Sequence, residues 1–473
     1  MATTIGARTQ SVVMDAAVIE ELRSRFRGEL LQPDDDGYDR ARAIWNGAID
    51  KHPALIARCT GVADVIAAVK FAQAGGLPVA VRGGGHNVAG TAVCDAGLVV
   101  DLSPMKGMRV DPSKRTARAE PGLLWGEFDR ETQAFGLAAP GGIVTHTGIA
   151  GLTLGGGIGW LMRKHGLTCD NLRSADVVTA EGEFVSTSAA ENPDLFWGIR
   201  GGGGNFGIVT SFEFQLHPIG PTVLAGPVFH PARRATEVLR FYREFARSIP
   251  DELTTILSLR HAPAVPFLPA HLHGEPVIGI IVCYAGPVED GEGVIEPLRA
   301  YGPPLIDLIR PTAYTAHQGL FDATVPHGLR YYWKSDYLPD LTDGAIDALA
   351  ARAWTAPSPN SYTIIFQLGG AIRRLGEHDM AFSNRDAGFA VNINSIWTDP
   401  NEPEPHIEWA RKCWEGLHPF STGGVYMNFL GNEGEERVRA AYGTQKFERL
   451  VGLKNKYDPT NLFRLNQNIK PTV

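Results

Sequence analysis

The placement of glycine constrains this chain more than any other feature. Its 54 glycines gather in three stretches of the first half: VRGGGHNVAG (81–90), PGGIVTHTGIAGLTLGGGIG (140–159) and RGGGGNFG (200–207). Such runs are poor helix interior, where each glycine costs about 1 kcal/mol relative to alanine. They mark backbone that turns sharply or approaches a ligand closely. The middle stretch reads as extended loop and turn laid along a flat ligand, with Gly155, Gly156, Gly157 and Gly159 permitting the approach.

Two familiar nucleotide motifs are tested by these runs and fail. Arg82 to Asn87 (RGGGHN) ends a short apolar strand in three glycines, whose successive N–H groups can form an anion nest. No Gly-Lys-Ser/Thr follows, so it is not a P-loop, and His86-Asn87 interrupts a Rossmann spacing. Gly202-x-Gly204-x-x-Gly207 does have that spacing, but IVTSFEFQL after it alternates like a strand and does not open a helix.

At 473 residues the chain is too long for one core, and two or three domains are expected. Val18, Ile19, Leu22 and Phe26 predict an amphipathic helix over 15–27, and VADVIAAVKFA predicts another from Val62 that closes at Gly75-Gly76. Strands LPVAV and LVVDLS and a helix from near Leu124 continue an alternation of strand and helix, which means an α/β or α+β layer fold. Beyond about residue 222 the glycine clusters stop. ILSLRHA, PVIGIIVCYAG, SYTIIFQLGG and AVNINSIW read as strands, and TEVLRFYREFARS and HIEWARKCWEGL as helices. They predict a second domain, an antiparallel sheet covered by helices, that supplies substrate contacts. KFERLVGLKNKYDPTNLF predicts a final helix and a proline turn.

Several classes are disfavoured. Lys and Arg number 44 against 52 Asp and Glu, a net charge of −8, whereas nucleic-acid binding needs a basic footprint. No run of about 18 apolar residues exists to span a membrane. The first residues, MATTIGARTQSVVMDAAV, carry no sustained apolar core of a secretory signal, so the expected location is cytoplasmic. The five cysteines (Cys59, Cys94, Cys169, Cys283, Cys413) contain no CxxC pair, so no zinc ribbon or dithiol motif and no metal site is expected. A buried cysteine is ordinarily inert packing, yet Cys169 stands in a polar turn with Asp170 and Asn171.

Four stretches together resemble the berberine-bridge-enzyme-like branch of the FAD-linked oxidases, which share the vanillyl-alcohol-oxidase fold. They are VRGGGHNVAG, HTGIAGLTLGGGIGWLMRKHGLTCDNL, DLFWGIRGGGGNFGIVTSFEF and YGTQKFERLVGLKNKYDPTNLFRLNQNI, in the family's order and at its separations. The resemblance implies a two-domain α+β fold. Its FAD domain would cover 15–220, its substrate domain 221–430, and a segment 431–473 would return to the FAD domain. FAD would be held covalently by His86 at the flavin 8α carbon and by Cys169 at C6. Arg82, Gly83, Gly84, Gly85 and Asn87 would line the pyrophosphate. Thr147, Gly148, Gly151, Gly155, Gly156 and Gly157 would run beside the ribityl chain and ring, with Asn171 in the cysteine's turn. Ile208 and Val209 would approach the adenine, and Asn466 and Asn468 the flavin.

The implied reaction is oxidation of a C–OH carbon on a carbohydrate or metabolite alcohol. Hydride passes to flavin N5, and dioxygen reoxidises the flavin to give hydrogen peroxide. Asn392 falls where the berberine bridge enzyme carries its base, and an asparagine cannot take a proton. Tyr426, in a YxNY-like strand whose second tyrosine is Phe429, is the next candidate; Tyr332 and Tyr331 are rivals, followed by Tyr442 and His146. Trp333, Trp354 and Trp397 could stack on a sugar or an aromatic ring. A monomer or homodimer is expected. The alternatives are a dehydrogenase with another electron acceptor, an amine or C–C-bond-forming oxidase, and a non-redox protein that retains flavin.

Overall fold

The computed structural model describes residues 16–473, so the N-terminal stretch on which the absence of a signal was judged lies outside the described residues. The first helix, Ala16–Arg25, buries Ile19 and Leu22, while Val18 faces solvent. A four-stranded sheet follows, in the order Glu29–Leu31, Leu55–Arg58, Leu98–Asp101, Val79–Arg82. Its first pair is antiparallel and the others parallel. The helix Val62–Gly75 bridges two of these strands and ends at Gly76, whose φ of 60° lets the chain leave in a left-handed turn. Both faces of the sheet are buried, which is why its strands read as unbroken apolar runs.

A second, antiparallel sheet has the order Met108–Asp111, Thr116–Ala119, Ile208–Gln215, Leu172–Val178, Phe184–Ser188. Ile208–Gln215 is a strand, so the glycines before it do not open a dinucleotide-binding helix. Phe212 and Phe214 pack with Trp125 and Phe128, and the same core takes in Phe447, Leu450 and Leu453 from the late helix Thr444–Tyr457. Buried Lys454 locks that helix to the glycine loop. Its Nζ donates to Asp458 Oδ2 (2.6 Å), Asn205 O (2.9 Å) and Phe463 O (3.0 Å).

The third layer is an eight-stranded antiparallel sheet over residues 222–397. Its central order is Thr222–Pro231, Pro276–Tyr284, Leu253–His261, Tyr362–Gln367, Phe389–Trp397, Arg330–Leu338. Helices Ala235–Ser248, Val288–Ala300, Asp343–Arg352 and Pro403–Leu417 cover one face. The other face turns toward the glycine loops. One local expectation changes: Tyr426 to Phe429 is not a strand. Residues Met427–Phe429 form a short 3-10 turn closed by Phe429 N–H to Tyr426 O (2.9 Å). All five cysteines are buried and free. Among the described residues no helix is long and apolar enough to cross a membrane.

Candidate functional site

A cavity of about 300 Å³ lies between the glycine loops and the open face of the large sheet. One wall is largely backbone: Gly83, Gly84 and Gly85, then Thr147, Gly148, Gly151 and Gly155, then Gly203, Gly204 and Gly207. The first two glycine stretches touch each other directly. A Cβ on Gly84 would stand 2.5 Å from Gly148 Cα, and one on Gly148 would stand 2.4 Å from Gly84 N, so neither position accepts a side chain. Val79 and Val81 project into the cavity from their strand, and Ile208 and Val209 close the same end.

His86 leaves the first glycine turn at the cavity wall. Its ring stacks on Trp45 (centroids 4.2 Å apart, 14° between planes), and Trp45 stacks in turn on Tyr331 (3.7 Å, 22°). His146 lies 5.1 Å from His86, and His327 lies 5.0 Å from His146. Burial first, then the two neighbouring imidazoles, hold the His86 pKa well below the usual range, so the ring is neutral. Its Nε2 is buried with no hydrogen-bond partner among the described residues. A neutral imidazole beside a cavity can act as a nucleophile toward a ligand held there. Asn87 Oδ1 and Asn466 Oδ1 are also unpartnered on this wall, while the Asn466 amide donates to Gly204 O (3.1 Å).

Several residues named from sequence lie elsewhere. Arg82 alternates with Val81 and points away from the cavity, pairing with Asp101 (Nε to Oδ1, 3.0 Å) and the Ala41 carbonyl. Gly156 (φ 123°) and Gly157 (φ 91°) form a turn behind the wall, where a Cβ would strike Phe382 or Thr168. Cys169 sits under that turn, fully buried and off the wall, with its sulfur 3.7 Å from Met380 Sδ and 3.7 Å from Asp170 Oδ1. Burial and then Asp170 push its pKa well up, which keeps it a thiol and a poor nucleophile. Asn171 holds the His165 and Leu167 carbonyls and meets His217 Nε2 (2.6 Å). Asn468 is off the wall, whereas its neighbour Gln467 is on it.

The facing wall is made of side chains. Tyr362, Ile364 and Phe366 alternate along one strand, Asn392 and Asn394 along the next, and Trp333 along a third. Phe429 packs on Trp333 (5.7 Å) and Phe366 (5.6 Å). Among the described residues no Asp, Glu, Lys or Arg lines the cavity. Tyr426 reaches it, but its hydroxyl oxygen accepts from Gly157 N–H (2.8 Å), Asn428 Nδ2 (2.8 Å) and Ile158 N–H (3.3 Å). It ties the C-terminal segment to the glycine turn, and burial pushes its pKa up. Tyr332 lies on the opposite face of the sheet, where its hydroxyl accepts from Arg411 Nε (3.2 Å). Tyr442 lines the cavity, but Tyr331 and His146 do not. Trp354 and Trp397 pack away from it, against Arg260 O and His406.

Trp45, Tyr362 and Asn394 are wall residues with no earlier role. The signal for Tyr362 and Asn394 is strand alternation, legible only with the register that pairs them. Burial raises the Tyr362 pKa to about 12, against the pull of the Arg260 guanidinium 4.7 Å from its ring.

A glycine-walled cavity with a neutral imidazole on its wall and an apolar pocket opposite fits the class of flavin-binding oxidoreductases. Comparison with known proteins agrees. Residues 53–188 match the FAD binding domain family, and residues 425–470 match the berberine and berberine like family. A FAD-linked oxidoreductase of Dictyostelium discoideum is 32% identical over 96% of this chain and 97% of its own length. The (R)-6-hydroxynicotine oxidase of Paenarthrobacter nicotinovorans is 32% identical over 94% and 97%. The structure of 6-hydroxy-D-nicotine oxidase from Arthrobacter nicotinovorans superposes with a TM-score of 0.84, at 29% identity, covering 94% of this chain and 98% of that one. Glucooligosaccharide oxidase from Acremonium strictum, described with a 6-S-cysteinyl, 8α-N1-histidyl FAD, gives a TM-score of 0.86 at 24% identity over 96% and 99%. The chain belongs to the berberine-bridge-enzyme-like family of FAD-linked oxidoreductases.

Proposed function

We propose that this oxidoreductase is an oxidase that binds FAD covalently through His86 and oxidises a small-molecule alcohol with release of hydrogen peroxide. The observation that carries the reading is His86 itself: neutral, stacked on Trp45, unpaired at Nε2 and facing the cavity. The sequence resemblance implied a second bond at Cys169. The buried position of that thiol against Met380 favours a single bond instead. Backbone N–H groups of Gly83 to Gly85 suit the pyrophosphate, and the side chains of Asn87 and Asn466 suit polar atoms of the same cofactor. A flavin held there supplies a hydride acceptor and a path for electrons to dioxygen.

The chain's own contribution is orientation, exclusion of water and management of one proton. Trp45 fixes the plane of His86, and Tyr426 fixes the Gly157 turn. Trp333, Phe366 and Phe429 keep the reacting end dry. An alcohol must lose its hydroxyl proton as hydride leaves. Of the two tyrosines on or beside the substrate wall, Tyr426 already receives three donors on its oxygen, which leaves Tyr362 to hydrogen-bond the hydroxyl. Burial keeps Tyr362 a neutral phenol, so the proton itself must pass to solvent. A second reading has its own support. No side chain on the substrate wall ionises near neutral pH, and a neutral amine needs no proton acceptor because its nitrogen lone pair drives hydride loss. The hydroxynicotine oxidase among the relatives is in keeping with a nitrogen-bearing substrate.

The test is the intact mass of the polypeptide after denaturation and removal of small molecules. Wild type should carry one FAD, and His86→Ala should carry none. A wild-type polypeptide of bare mass overturns covalent attachment. Rapid return of the yellow colour when a reduced sample meets air supports the oxidase over a dehydrogenase.

A further inference from the structure

We propose that the substrate wall selects a flat, uncharged aromatic ring bearing a hydrogen-bond donor, and that Asn392 Oδ1 receives that donor. The proposal rests on the flavin reading above and narrows its substrate.

The hydrogen bonds of two asparagines settle which amide atom is left without a partner. Asn394 Nδ2 donates to the Asn392 backbone carbonyl (2.9 Å), and a carbonyl can only accept, so the Asn394 amide is fixed with Oδ1 on its other side. That oxygen receives Asn392 Nδ2 (3.4 Å), which fixes the second amide in turn. Asn392 Oδ1 is left as a buried acceptor with no partner among the described residues, on a side chain that lines the cavity. Asn392 is 2% exposed, so bulk water does not satisfy it. The missing partner is an O–H or N–H brought by a ligand.

The surroundings decide what carries that donor. Asn394 lies between Trp333 on one neighbouring strand and Tyr362 on the other. Asn392, two residues along the same strand face, lies between Ser335 and Ile364, so the aromatic pair borders the Asn392 amide from one side. Ile364, Phe366 and Phe429 complete an apolar slot. A carbohydrate would bury several hydroxyls here against few groups able to pair with them. An ionised ligand would lose its water to a lining that carries no charge, since the Arg260 guanidinium on the Tyr362 ring is itself outside the lining. An aromatic ring loses nothing on entering and needs one polar contact, which Asn392 offers.

The experiment titrates the flavin-loaded protein with phenol, anisole, cellobiose and benzoate, following the perturbation of the flavin's visible absorption. Phenol should bind at least tenfold more tightly than anisole, and cellobiose and benzoate should not saturate. Asn392→Leu should bring phenol and anisole to the same affinity at wild-type flavin content. Tighter binding of cellobiose than of phenol, or equal binding of phenol and anisole by wild type, overturns the proposal. The wild-type series decides even if the variant fails to fold. A yellow, air-reoxidisable protein that fails the series sinks only the substrate class. A colourless protein sinks the flavin reading, and the same series then runs by calorimetry.

Discussion

The two walls of the cavity are built on opposite principles. The cofactor wall is backbone, and its requirement at Gly84 and Gly148 is that nothing project from the chain. The substrate wall is side chain, and its members come from strands as far apart in sequence as Trp333, Tyr362 and Asn394. A wall of backbone is specified locally, residue by residue, so it leaves clusters that can be read directly. A wall of side chains is specified by register across a sheet, and no window of sequence contains it.

Three perturbations probe that contrast. The largest effect should come from Lys454→Met, behind the cofactor wall. Both Lys454 and Asp458 are fully buried, and breaking such a pair costs about 3–5 kcal/mol because one charge is left alone. Asp458 also receives the Leu462 and Phe463 N–H groups, which places the expected loss at the lower end. Denaturant unfolding should show the loss together with reduced flavin content, while phenol and anisole keep their relative affinities. Altered preference would mean that the two walls are not independent.

Asp129→Asn tests the seam between the walls, where Gln318 Nε2 donates to Asp129 Oδ2 (2.7 Å). Burial raises this carboxyl to about 7, whereas in the unfolded chain it titrates near ~3.9. The folded state therefore keeps a proton that the unfolded state has lost. Stability from this group is complete below the unfolded pKa, falls as pH rises toward 7 and is constant above it. The variant escapes that loss. Thermal melts should show its advantage over wild type growing from pH 5 to pH 8; an advantage independent of pH would contradict the assignment.

Cys169→Ala should have the smallest effect. Removing one buried methyl-sized group costs about 1 kcal/mol, and the covalent flavin mass should be unchanged. Loss of the adduct in this variant, with His86 intact, would restore the thiol to the cofactor.

Much of the architecture was legible. The helix from Val62 to its glycine stop, the strand Ile208–Gln215 and the antiparallel sheet beyond residue 222 all follow from periodicity and punctuation. The glycine cradle and His86 were legible too, because a turn that excludes side chains and the residue leaving it are set by neighbours along the chain. Direction was not. Arg82 stands beside Gly83 in sequence but faces Asp101, because a strand sends alternate residues to opposite sides. Cys169 follows the glycine loop closely but turns under it toward Met380, because the 3-10 turn Thr168–Asn171 spreads its side chains around an axis. Tyr426 stands at the start of a 3-10 turn instead of in a strand, and there its hydroxyl accepts from Asn428.

By itself the sequence determined where backbone must be bare and which imidazole stands at its edge, since those demands are local and steric. Only the tertiary structure decided that Asn394 stands between Trp333 and Tyr362, that Asn392 beside it keeps an unpaired acceptor, and that Cys169 is buried against Met380. Those outcomes depend on which residues lie opposite one another once distant strands pair, and pairing is a property of the whole sheet.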